Sequence, residues 1–255
     1  MLSTIIASWG HPVLFTISSP EWFFATLLLM PWTTYPAWKS KYLSPWLIQH
    51  CTHTIISGKS YTMLTSIFSY GSTSYLVFML LAAPIANICA SSWFMHSLQL
   101  QSTYESTPTF HMTAFFLSAG MFSLFSSRIL NYVRFRTLNH LEKSFKNVSL
   151  VPPLRSSSNP FRRVSGASGV IYASITLAAC EWGDKIYTDT RLGSTSITMS
   201  DLWKIWCAVE GIFMVMGVGP INWAAHICGA AYGALYQQYG PAMWLWFRRT
   251  LGHYS

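Results

Sequence analysis

From residue 20 onward the chain alternates long uncharged apolar runs with shorter polar stretches, and the lengths of those runs predict the elements. Ser19-Pro20-Glu21 has the order of an N-cap, an N1 proline and an early acid, and it opens a first run, Trp22 to Trp38, that carries Pro31 and Pro36. A polar, Trp-rich stretch with Lys39, Lys41 and Lys59 extends to about Tyr61, after which Met63 to Ala90 is free of charge. About 20 apolar residues cross a bilayer as helix, so this run is long enough. Residues 91–107 are rich in Ser, Thr and Gln, with Glu105 the one charge, and lead through Pro108 into a third span, Thr109 to Ser127, ending near Arg128. Residues 131–163 read as a long extramembrane loop: Arg134, Arg136, Lys143, Lys146, Arg155, Arg162 and Arg163 lie among serines and the Pro152-Pro153 pair. Gly166 to Trp182 forms a fourth span of small residues, followed by the loop Gly183 to Ser200 with Asp184, Lys185, Asp189 and Arg191. Asp201 caps a fifth span, Leu202 to Gly219, which Gly219-Pro220 breaks, and a sixth runs from Asn222 to Phe247 and closes on Arg248-Arg249. The expected protein is an all-α polytopic membrane protein of six helices without an internal repeat. It divides into an N-terminal interfacial segment (1–19), a six-helix domain (20–248) containing the basic loop 131–163, and a short tail (249–255).

Composition agrees with this pattern. Only 9% of residues are charged and 51% are hydrophobic, whereas soluble domains carry roughly 25% charge. The net charge of +8 comes from 16 Lys+Arg against 8 Asp+Glu. Those cations sit between apolar runs, not on an aromatic-interleaved patch, which points to lipid head groups and topology and away from nucleic acid. If the spans alternate, the loops after spans one, three and five share a side and hold ten Lys/Arg, against Lys185, Arg191, Arg248 and Arg249 opposite. The positive-inside tendency then puts both termini on the side away from the ten cations. The five cysteines (Cys51, Cys89, Cys180, Cys207 and Cys228) show no CxxC pair and no regular spacing, so no disulfide framework, metal site or cofactor is expected. Met1 to Gly10 holds no Lys or Arg, so any targeting signal is expected to be internal.

Two segments could carry chemistry. In Gly166-Ala167-Ser168-Gly169-Val170-Ile171-Tyr172 a serine sits between glycines at a loop-to-helix junction, where free N–H groups face a developing oxyanion. The same pattern also suits plain small-residue packing of a membrane helix. In Ala225-His226-Ile227-Cys228-Gly229-Ala230-Ala231-Tyr232-Gly233, Gly229 and Gly233 form a GxxxG face with His226 nearly one turn before it. A histidine in such a place is either a hydrogen-bonded structural group or a base. If span six packs on span four, His226 reaches Ser168 and Tyr172 flanks the imidazole, which makes a Ser-His nucleophile and base pair.

GASGVIYA followed by AAHICGAAYG resembles the GxSG and AHxxGxxxG signatures of rhomboid intramembrane serine proteases, including the tyrosine four residues after the serine. INWAAHICGAAYGALYQQYG (Ile221 to Gly240) and FFLSAGMFSLFS (Phe115 to Ser126) are similar to helices of the mitochondrial presenilin-associated rhomboid-like branch. The resemblance covers residues 20–248 and fades before residue 60. It implies a six-transmembrane-helix rhomboid fold in the mitochondrial inner membrane, with Ser168 as nucleophile, His226 as general base and Tyr172 supporting the ring. Gly166, Gly169, Gly229 and Gly233 would fill the family's glycine positions. It also implies a dyad without an acidic third member, so Glu210, the one acid well inside span five, is assigned no catalytic role and is expected to face neighbouring helices. The family's second span supplies a His and, four residues later, an Asn to the oxyanion. Aligned there, MLTSIFSYGSTSYLVFM places Tyr75 at the His and Met79 at the Asn. A register through His111 keeps the His but puts it in span three. A phenol donates a hydrogen bond and a thioether does not. The family's Trp-Arg pair in the first loop is not evident.

Two functions follow. In one the chain is a rhomboid-type serine endopeptidase that cleaves single-span membrane proteins. In the other the same scaffold is a weak or inactive pseudoprotease, a structural subunit of an inner-membrane assembly such as a protein translocase or a respiratory complex. A transporter or channel fits less well, because repeats and several intramembrane charges are missing.

Overall fold

The computed structural model describes residues 32, 34–54, 59–100, 109–144, 166–184, 187–188, 197–217 and 221–251. Most of span one, the segment 1–19, residues 145–163 of the basic loop, Lys185, Asp189, Arg191 and Gly219-Pro220 lie outside them. The described residues are helical at 34–39 and then form α1 (Ser44–His50), α2 (Thr62–Thr65) with a 3₁₀ turn at Ser66–Phe68, α3 (Thr73–Leu100), α4 (Thr109–Ser144), α5 (Ser168–Trp182), α6 (Met199–Met216) and α7 (Trp223–Thr250). Among the described residues, two helices are long and apolar enough to cross a membrane, Thr73–His96 and Phe110–Leu141.

Several boundaries differ from the sequence reading. The second span divides: Met63 to Phe68 fold as short helical turns, and the continuous helix begins only at Thr73, after Gly71 and Ser72. It then runs on through Ser91 to Leu100, past the end of the uncharged run at Ala90. The third span does not end at Arg128, and residues 131–144 are not loop, because α4 continues unbroken to Ser144. Its charge density rises there, but Arg128 to Ser144 contains no Gly or Pro to stop a helix. At 1.5 Å per residue these 36 residues rise about 54 Å. Arg128 is buried, with its Nη2 donating to the His53 carbonyl at 2.5 Å, which pins the 51–54 segment to the helix. The loop after span four contains an antiparallel ladder, β1 (Tyr187–Thr188) with β2 (Ile197–Thr198), pairing Tyr187 with Thr198 and Thr188 with Ile197. Thr198, not Asp201, is the N-cap of α6. Its side chain accepts from the Asp201 N–H while the Asp201 carboxylate accepts from the Thr198 N–H, a reciprocal capping box.

α5 lies at the centre of the bundle and packs against α3, α4, α6 and α7. With 15 residues it rises only about 22 Å, and Ser168 to Ser174 are all buried. Its companion is α7, and the two backbones meet through glycine. A Cβ on Gly229 would stand 2.1 Å from the Gly169 carbonyl oxygen, and one on Gly233 would stand 2.3 Å from that of Ala173. Gly169 and Ala173 are one turn apart on α5, as Gly229 and Gly233 are on α7, so small residues at i and i+4 on both helices create the crossing. Gly169 is also closed on its other side, where a Cβ would meet the Ser123 Oγ of α4 at 2.1 Å. Outside this seam, Trp93 and Phe94 of α3 and Phe115 and Phe116 of α4 fill the core.

Candidate active site

Gly166 has φ +116°, a backbone conformation open to glycine, and a Cβ there would also strike the Tyr75 hydroxyl at 2.6 Å. Its N–H donates to the Ser66 carbonyl at 2.7 Å, anchoring the chain just before α5. Ser168 is then the first residue of α5, at the helix end whose N–H groups lack partners within the helix, and is 7% exposed. Two of those groups have partners from the α3 side. The Ala167 N–H donates to the Tyr70 hydroxyl at 2.6 Å, and the Ser168 N–H donates to the Tyr75 hydroxyl at 2.9 Å. The two phenol rings stack at 4.5 Å. Tyr75 therefore sits against the Ser168 amide, and Met79, one turn further along α3, is fully buried in the core.

His226 lies one turn before Gly229 on α7, and the crossing carries it to the mouth of α5. Tyr172 stacks on its ring at 4.3 Å with an interplanar angle of 16°. Phe78 stacks at 6.3 Å, and Trp223 meets the imidazole edge-on at 5.7 Å. No hydrogen bond joins the Ser168 hydroxyl to His226 among the described residues. The ring is held at Nδ1, which lies 3.1 Å from Oε2 of Glu210, a carboxylate 2% exposed inside α6.

Glu210 is the residue whose part the sequence reading missed. It does face neighbouring helices, but its partners are the candidate base and that base's support. The Tyr172 hydroxyl donates to Oε1, and the Trp206 indole N–H donates to the Tyr172 oxygen at 3.1 Å. Trp203, one turn earlier, donates to Thr176 Oγ1 at 3.0 Å. Positions 203, 206 and 210 share one helical face, so the polar stripe was readable once the lone acid was taken as the default pointer to a site in an apolar span. Tyr70 left no such signal, because only the return of the chain at Gly166 brings it to Ala167. His111, the competing register, is fully buried on α4 and stacks with Trp244 at 4.6 Å, away from these contacts.

The arrangement supplies a hydroxyl at a helix N-terminus, an imidazole with one nitrogen anchored, and a phenol beside the amide that would face an oxyanion. The described residues contain no group of three or more His, Cys, Asp or Glu that could hold a metal ion. No protein family, no curated protein and no solved structure matches the chain.

Proposed function

We propose that the chain is a rhomboid-type intramembrane serine endopeptidase of the mitochondrial inner membrane, with six spans, acting on single-span membrane proteins. The observation that carries the reading is the α5–α7 seam: the Gly169–Gly229 crossing brings Ser168 and His226 to one end of the bundle, with Tyr172 stacked on the imidazole. The long apolar helices and the ten-to-four division of cations support a membrane setting.

In this reading Ser168 Oγ attacks the peptide carbonyl carbon as its proton passes to Nε2 of His226. The tetrahedral intermediate collapses with cleavage of the C–N bond, and the same proton leaves with the amine. Water then attacks the acyl ester, His226 again moving the proton, to release the acid and restore Ser168. The oxyanion takes the Ser168 N–H, and the Tyr75 hydroxyl turns from accepting that N–H to donating. The second side-chain donor has no replacement, since Met79 offers only a thioether. A missing donor costs about 10²–10³ in turnover, so the enzyme is slow.

One observation favours a second reading, a pseudoprotease serving as a structural subunit of an inner-membrane complex. The Tyr75 hydroxyl already holds the Ser168 N–H that the oxyanion would take. Purified chain in mild detergent, incubated with a single-span substrate, separates the two. The protease cleaves and its Ser168→Ala variant does not. A scaffold instead supports growth and assembly with Ser168→Ala but fails with Gly229→Leu.

A further inference from the structure

We infer that Glu210 is a positioning residue for His226, holding the imidazole as the Nδ1–H tautomer with Nε2 left as the proton acceptor. The inference rests on the serine-protease reading and adds an acidic third member where a two-residue dyad was expected. The hydrogen bonds run in one direction when Glu210 is ionised, and Trp206 fixes the first of them. Trp206 Nε1–H can only donate, so the Tyr172 oxygen accepts it. The Tyr172 hydrogen is then available to Oε1 of Glu210. With one carboxylate oxygen accepting from Tyr172, the other accepts from Nδ1–H of His226 at 3.1 Å. Two donors, Tyr172 and His226, then meet on Glu210, which is what a carboxylate 2% exposed requires. In a neutral imidazole whose Nδ1 carries the hydrogen, Nε2 carries the lone pair. Glu210 touches no reacting atom and takes no proton. The proton moves from Ser168 Oγ to Nε2 and on to the leaving amine, while the carboxylate stabilises the imidazolium formed between.

The same chain of donors makes Glu210→Gln informative. The side chain keeps its shape, but Tyr172 still presents a donor to the Oε1 position, so the amide oxygen settles there and the NH₂ group faces Nδ1. The amide then donates to Nδ1, and the ring flips to the Nε2–H tautomer, which cannot accept from serine. Wrong-tautomer substitution of this kind costs about 10⁴ in turnover in serine proteases.

The test uses the full-length protein in detergent micelles, ¹⁵N-labelled at histidine, together with a fluorophosphonate probe that labels activated serines. The native protein is expected to show a protonated Nδ1 and a lone-pair Nε2 for His226, assigned by loss of the signals in His226→Asn. Glu210→Gln is expected to show the reverse and to label Ser168 more slowly by 10³-fold or more. A native Nε2–H tautomer overturns the inference without recourse to any variant. So does Glu210→Gln that keeps Nδ1–H, or that labels at the native rate. A native protein that shows the Nδ1–H tautomer but never labels at Ser168 removes the protease reading, and the tautomer of Glu210→Gln still decides whether Glu210 holds the ring.

Discussion

Substituting alanine for glycine at two positions of this protein should change stability in opposite directions. At Gly229 the added Cβ would lie 2.1 Å from the Gly169 oxygen and 2.7 Å from both its carbonyl carbon and its Cα. Ordinary contact begins near 3.4 Å, so the helices must part by about 1.3 Å, and every obstructing atom is backbone with no rotamer to yield. Overpacking of a close-packed interior costs about 1–3 kcal/mol, and this site belongs at the upper end of that range. Replacing Gly by Ala inside a helix returns about 0.8–1.0 kcal/mol, which leaves a net loss of roughly 2 kcal/mol. At Gly211 on α6 a Cβ meets nothing within 4 Å, so the propensity gain stands alone and the variant is stabilised by up to about 1 kcal/mol. The two variants should differ by about 3 kcal/mol, or roughly 6–12 °C in unfolding midpoint at about 2–4 °C per kcal/mol for this chain length. Thermal unfolding in one detergent, followed by circular dichroism and by trapping of Cys228 as it is exposed, measures both. A Gly229→Ala midpoint equal to or above that of Gly211→Ala would refute the close α5–α7 crossing.

Tyr75→Phe should lower residual cleavage by about 10²–10³ if the phenol is the surviving oxyanion donor; faster cleavage would show instead that the hydroxyl blocks the Ser168 amide. Arg128→Met removes the donor to the buried His53 carbonyl, and an unsatisfied buried group costs about 1–3 kcal/mol, visible as a lower unfolding midpoint. Burial, and then the charge of Arg128, lower the His53 pKa below its ordinary 6.5. The unfolded chain therefore takes up a proton at a higher pH than the folded one. Stability falls as pH drops through about 6.5 toward the folded value, and His53→Gln should flatten that part of the unfolding profile. Tags placed at residue 145 and after residue 251 should be protected on opposite sides of the membrane, since α5, α6 and α7 lie between them; tags on one side would defeat the six-span reading.

Helix content and two long apolar helices were legible because each depends on local pattern, on runs without charge. The boundaries that failed did so for a common reason. Residues 91–100 lie past the expected end of the second span and 131–144 in the expected loop because they are polar or basic, yet polarity does not stop a helix. Gly and Pro do, and neither occurs there. Thr198 displaced Asp201 as the cap because a capping box uses both residues, and only backbone geometry tells which stands outside the helix.

By itself the sequence determined the apolar runs, the GxSG junction and the GxxxG face, and with them Ser168, Tyr172, His226, Gly229 and Gly233 as the residues to watch. Small residues spaced four apart on two helices have few other ways to pack. Tertiary structure alone decided what surrounds them. Tyr70 and Tyr75 reach the amides of Ala167 and Ser168 across more than 90 positions of chain, and Glu210 reaches His226 from a separate helix. Those contacts depend on how α3, α6 and α7 are rotated about α5. For α7 that rotation follows from backbone approach at Gly169, Gly229 and Gly233, a property of paired surfaces that no single segment encodes.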